Sequence, residues 1–256
     1  MESKQSRKPK RRVTLVCGFH YVKLVYRSLF LLIGLALYLC GRLIPNAPTF
    51  PGNVYHYVFL GIVGVVYTAE MISRFFPSKL DSPGCQKVFK SAFIPTQQKE
   101  PPRRSPVGVL LVLAFWIALN GAISALYLCG ILDVGILILV SLAYGVCDMI
   151  CILFFCPFQT WMMKNKCCGS CRIYNWDFAM MFTPLIFVKT LFAQTLVLLS
   201  LALLIRWESA VHRHPEYFSE NTNSSLSCTN CQEKLCHHKT QLKTFWKKQK
   251  KTTVDG

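Results

Sequence analysis

Apolar and polar residues are strongly segregated along this chain. Long runs with almost no charge alternate with shorter stretches where Lys and Arg collect. An α-helix rises about 1.5 Å per residue, so roughly 20 apolar residues cross a hydrocarbon layer about 30 Å thick. Five runs fit this length: about Ser28 to Ile44, Val54 to Phe76, Val107 to Gly130, Val134 to Cys156 and Leu185 to Ile205. The first is the shortest and can borrow the stem Val22–Tyr26. Helix breakers separate them: the loop Pro45–Asn53, Pro77, the Pro101–Pro106 stretch, Pro157 and Thr183–Pro184. Only a short turn around Asp133 divides the third run from the fourth, which predicts a helical hairpin. The pattern predicts an all-α integral membrane protein with about five transmembrane helices, the first four as two related helical hairpins. Residues 1–27 read as a basic arm and interfacial lead-in, 28–207 as the transmembrane domain, and 208–256 as a polar tail rich in Cys, His and Lys.

The relation between the hairpins is written in the residues. Ala36-Leu37-Tyr38-Leu39-Cys40-Gly41 recurs as Ala125-Leu126-Tyr127-Leu128-Cys129-Gly130. In the span after each copy, Glu70-Met71-Ile72 with Phe75-Phe76-Pro77 answers Asp148-Met149-Ile150 with Phe154-Phe155-Cys156-Pro157. Duplicated halves are common in transporters, where the site lies between repeats.

Composition supports the membrane assignment: 52% of the 256 residues are hydrophobic and only 16% charged, against about 25% charged in soluble domains. The net charge of +17 has two readings. Nucleic-acid binding is disfavoured, because the basic residues flank apolar runs. The positive-inside bias and attraction to a bilayer with anionic lipids account for them better. Residues 1–27 carry eight Lys and Arg and the 74–104 connection seven; Arg42 stands alone after the first run, and the turn at Asp133 has none. This alternation puts the N-terminus and the connection holding Cys167 in the cytoplasm. The late start of the first run and its lack of a small-residue cleavage site predict a retained anchor. The tail conflicts with five crossings, which would place its nine Lys and Arg outside. Either the rule bends there or residues 173–205 re-enter and return; the length and uniform apolarity of the fifth run favour crossing.

Thirteen cysteines are many. Cys40, Cys129, Cys147, Cys151 and Cys156 fall inside apolar runs, where a thiol acts as a small hydrophobe. Cys167, Cys168 and Cys171 form a CxxC unit with an extra thiol; Cys228, Cys231 and Cys236, followed by His237 and His238, form a second group. CxxC turns let two thiolates face one ion, so these residues are candidate ligands for zinc or an iron–sulfur cluster. A redox dithiol, a disulfide or no shared role are the competing readings. The intramembrane acids Glu70 and Asp148 are the other candidates, because a carboxylate at membrane depth needs a partner or a cavity. Glu70 has Arg74 four residues on, which predicts an ion pair within one helix; Asp148 has no such neighbour. Gly121 with Ala125, and Ser141 with Gly145, are small pairs at helix-packing spacing. Asn223-Ser224-Ser225 is a glycosylation sequon.

The stretch Phe155–Pro184 (FCPFQTWMMKNKCCGSCRIYNWDFAMMFTP), with the later LIRWE and CxxCxxxxC, resembles uncharacterised polytopic membrane proteins of anaerobic Gram-positive bacteria. That resemblance covers nearly the whole chain and implies the bacterial plasma membrane, multi-pass, without an activity or functional residues. The leading expectation from the residues is a metal- or iron–sulfur-binding redox membrane component. The alternatives are a secondary transporter or channel-like protein using the duplicated hairpins, and a non-catalytic scaffold with a membrane-protein partner or a second copy of itself. No catalytic residue stands out, and whether the chain is an enzyme stays open.

Overall fold

The computed structural model describes residues 15–44, 48–78, 81–97, 106–165, 167–227 and 229–230. These residues form helices and no strand. Five helices are long and apolar enough to span a membrane: α1 (Leu15–Leu43), α2 (Val54–Ser73), α3 (Val107–Leu128), α4 (Val134–Leu153) and α6 (Leu191–Arg213). A six-residue helix, α5 (Asp177–Phe182), precedes α6.

Their boundaries follow from local chemistry. Asn53, Asp133 and Thr190 cap α2, α4 and α6, each side-chain oxygen accepting from a backbone N–H of the first turn. Gly130 ends α3 at φ +74°, a conformation that a Cβ makes costly. α1 departs from the expected division into lead-in and span. It is one helix of 29 residues, since nothing between Leu15 and Leu43 breaks it, and the lead-in charges Lys23 and Arg27 turn into the bundle.

The two hairpins are joined chiefly by α1 running along α4, while α2 runs along α6. One end of the bundle, here the N-terminal face, gathers the start of α1, the ends of α2 and α4, and the start of α3. Between the helices sits α5 with the tight turn Thr183–Phe187, broken at Thr183–Pro184 as the sequence predicts. Phe178, Met181, Phe182 and Leu185 are buried there. Met181 offers its carbonyl oxygen to the Ser141 hydroxyl at 2.9 Å, Phe182 packs edge-on to Tyr67, and Phe187 reaches Tyr127 near the far end of α3.

From that depth the chain comes back. Arg74, at the end of α2, pairs with Asp177 at 2.7 Å, and the next residue, Phe75, accepts from Arg206 at 2.6 Å through its carbonyl. Trp207 Nε1 donates to the Arg172 carbonyl at 2.9 Å, and Arg172 pairs with Glu208. Residues 172–177 and 206–208 therefore sit at the same end of the bundle. The segment between them enters, turns near Val188–Thr190 and returns, with α6 parallel to α2. The fifth run keeps the length and apolarity of a span as α6; what departs from the expectation is that the segment before it re-enters, so that α6 runs back to the N-terminal face. Such backbone is tolerated at membrane depth when it is buried in protein, as α5 is.

Trp207 near the end of α6 and Tyr217 and Phe218 beyond it pack with Val88 and Phe93 into a small cap on the N-terminal face. Asn223 is fully buried in it. Its side chain accepts from the Ile94 and Ser225 N–H groups and donates to the Tyr217 carbonyl. The sequon is thus a structural clasp. Of the two small pairs, Ser141 with Gly145 serves packing, whereas a Cβ at Gly121 would meet nothing within 4 Å.

Candidate functional site

Lys23 and Arg27 stand one turn apart on α1, so both project from the same face. Arg27 is fully buried and joins three helices. Its Nη1 donates to Asp148 Oδ2 at 2.9 Å and to the Gly145 carbonyl at 3.1 Å; its Nη2 donates to Glu70 Oε2 at 2.8 Å. Lys23 Nζ reaches the same Glu70 oxygen at 3.0 Å, and the Tyr26 hydroxyl donates to Glu70 Oε1. Tyr67 and Phe178 present ring faces to the Arg27 guanidinium at 5.2 and 5.8 Å, a favourable arrangement for a desolvated cation. Gly145 is what allows the approach: a Cβ there would lie 2.5 Å from the Tyr67 hydroxyl.

The two acids at equivalent repeat positions thus share one arginine. The expected pair within α2, Glu70 with Arg74, does not form. Arg74 instead holds Asp177 through both terminal guanidinium nitrogens, at 2.8 and 2.7 Å, and its Nη1 also donates to Asn175 Oδ1 at 3.0 Å. Burial works against the charge on Arg74, but the Asp177 carboxylate outweighs it and holds the guanidinium above its usual range. Glu70 is three residues from the end of α2 and Asp148 five from the end of α4, which puts them about 5 and 8 Å inside the helix ends.

Asp148 and Asp177 also line a cavity of about 250 Å³ between α3, α4 and α5. Its walls are largely apolar: Trp116 and Tyr144, whose rings lie 5.0 Å apart, with Met180 and Met181 from α5. Two polar atoms there are unused among the described residues. Asp148 engages Arg27 through Oδ2 alone, leaving Oδ1 without a hydrogen bond. The Tyr144 hydroxyl is buried and has no partner.

The cysteine stretch packs against this cavity, with Cys168 and Cys171 among its walls. Cys168 Sγ donates to Gln159 Oε1 at 2.8 Å. Burial pushes the Cys171 thiol up, which favours the protonated form over the thiolate needed for ligation or redox attack. The turn is held by Lys87, itself fully buried, whose Nζ donates to the Gly169 and Cys171 carbonyls at 2.8 and 2.9 Å. Among the described residues no three His, Cys, Asp or Glu side chains are grouped so as to hold a metal ion. Cys228, Cys231, Cys236 and His237 lie outside the described residues.

Lys23, Arg27, Asp177 and Lys87 are participants that sequence reasoning did not place in the site, and Arg74 was assigned to the wrong partner. The signal in α1 was the spacing of Lys23 and Arg27 immediately before a span. No family model, curated protein or solved structure matches this chain.

Proposed function

We propose that this membrane protein belongs to the transporter class and binds a small solute in the cavity beside Asp148. The observation that carries this reading is the double exposure of Asp148: one oxygen is held by Arg27, while the carboxylate lines a cavity with apolar walls. A solute that engages Asp148 competes with Arg27 for it. Arg27 ties α1 to both α2 and α4, so loosening one contact alters how the hairpins are joined. Duplicated halves are common in alternating-access transporters, and here Arg27 joins the first hairpin to the second at Asp148, on the cavity wall. The Lys and Arg distribution supports a cytoplasmic N-terminal face.

The test is flux of cavity-binding solutes into proteoliposomes, with and without a pH gradient. The reading expects uptake that Asp148→Asn abolishes while helicity is retained. A solute that binds but does not cross, or flux indifferent to Asp148→Asn, removes it.

A second reading, a zinc or iron–sulfur clasp on the cap, has one observation in its favour. The return of α6 brings the tail to the same face as the cysteine turn, with the Ser225 hydroxyl on the Ala92 carbonyl. Elemental analysis of protein purified anaerobically tests it; absence of zinc and iron retires it.

A further inference from the structure

The charge of the cluster and the walls of the cavity narrow the solute, on the premise that the cavity is the solute site. Lys23, Arg27 and Arg74 face Glu70, Asp148 and Asp177 in pairs no longer than 3.0 Å. Three cations and three carboxylates sum to zero before any solute arrives. A charged solute of either sign would leave one charge unbalanced at membrane depth, which a low-dielectric medium opposes. A neutral solute carries no such penalty.

The free polar atoms ask for a hydroxyl. Asp148 Oδ1 can only accept when ionised, and the Tyr144 hydroxyl can donate or accept. One solute O–H can donate to the carboxylate while its oxygen accepts from Tyr144. Much of the rest of the lining is Trp116 and Tyr144 with the thioethers of Met180 and Met181 and the aliphatic Leu119 and Ile152, which suits an aromatic body. Size agrees: about 150 Å³ of dry cavity takes one benzene, and the 250 Å³ here adds room for a short arm.

We infer that the cavity takes an uncharged aromatic alcohol or phenol, its hydroxyl on Asp148 and its ring against Trp116 and Tyr144. The structural reason is that the ion pairs beside the site balance, one carboxylate oxygen and one hydroxyl are unpartnered among the described residues, and the lining is largely apolar, with aromatic rings and sulfurs.

Three probes of similar size separate the possibilities: 2-phenylethanol, 2-phenylethylamine (cationic at neutral pH) and propylbenzene. Binding is read in nanodiscs by equilibrium dialysis, with empty nanodiscs subtracted to remove lipid partitioning. Quenching of Trp116, taken as the difference between wild type and Trp116→Phe, locates the probe. The alcohol should bind about tenfold or more tightly than propylbenzene, as one hydrogen bond to a carboxylate implies, and more tightly than the amine. Tyr144→Phe, which removes no charge, should shrink that preference. Equal binding of alcohol and hydrocarbon overturns the inference, as does preference for the amine; either leaves the solute site standing. Absence of binding by all three overturns the inference together with the cavity as solute site.

Discussion

Replacing Arg27 with methionine keeps an unbranched apolar stem and deletes the charge that joins α1 to α2 and α4. The two acids are affected unequally. Glu70 retains Lys23 at 3.0 Å and the Tyr26 hydroxyl. Asp148 loses its one salt bridge among the described residues, and the Gly145 carbonyl loses its donor. Removing one partner of a buried pair costs about 3–5 kcal/mol. Proton uptake gives an independent figure. A carboxyl that titrates near 3.9 in water must be neutralised against about three pH units at pH 7, which is about 4 kcal/mol, and against about one unit at pH 5, roughly 1.5 kcal/mol. The sign follows: the neutral form is needed in the fold while the unfolded chain is ionised, so the loss grows with pH above the ordinary carboxyl range and fades as pH falls into it. For a chain of this size each kcal/mol moves Tm by about 2–4 °C. Arg27→Met should therefore lower Tm by roughly 8–16 °C at pH 7 and by far less at pH 5, followed by circular dichroism in nanodiscs. The double variant Arg27→Met with Asp148→Asn should recover most of the loss. A single variant as stable as wild type at pH 7, or a double variant no better than the single, would refute the shared-arginine reasoning.

Three further outcomes are expected. Topology reporters fused before Leu15 and after Asn230 should report the same side of the membrane; opposite sides would exclude the re-entrant path. Lys87→Met removes the donor to the Gly169 and Cys171 carbonyls, at about 1.5–3 kcal/mol for a hydrogen bond from a charged group. It should open the cysteine turn, and maleimide labelling of Cys168 and Cys171 should speed up; unchanged rates would deny Lys87 that role. Asp133→Ala should cost about 1 kcal/mol of α4 stability through loss of its cap, whereas Asp133→Asn should keep it. Burial would raise the Asp133 carboxyl, but the Ile136 N–H, Arg42 and Tyr38 outweigh it and hold it below its usual range. That contribution is present above the ordinary carboxyl pKa and is lost as pH falls below about 4. Acid unfolding of wild type should show this loss and the Asn variant should not.

The elements were legible because each has a local cause. Apolar runs, the breaks at Pro45–Asn53 and around Asp133, and the breaker Thr183–Pro184 act over a few residues, and the long helices α2, α3 and α4 begin where these predict. The repeat also pointed correctly to Glu70 and Asp148 as related positions, and they meet at Arg27. Their partners were not legible, because the local rule is satisfied by two different pairings. Arg74 stands one turn from Glu70 and Arg27 lies 43 residues away, so spacing alone selects the wrong cation. What decides is that Asp177, carried inward on α5, claims Arg74 through two contacts and leaves Glu70 to α1.

The path of the fifth run was hidden for a related reason. A crossing helix and a returning one have the same length and hydropathy, and α6 with its 23 residues satisfies both. The discriminating information lay outside the run, in the charges of the tail and the break before it. A chain that crossed five times would have stranded nine Lys and Arg on the far side, against the bias that every earlier connection obeys. A chain that returns has no such conflict, and Arg206 then finds the Phe75 carbonyl beside the end of α2. The disagreement between hydropathy and charge was therefore itself the evidence for the return. Asp177, at the entry of the re-entrant segment, meets Arg74 at the same face, so the residues that mark the return also settle which cation is left for Glu70.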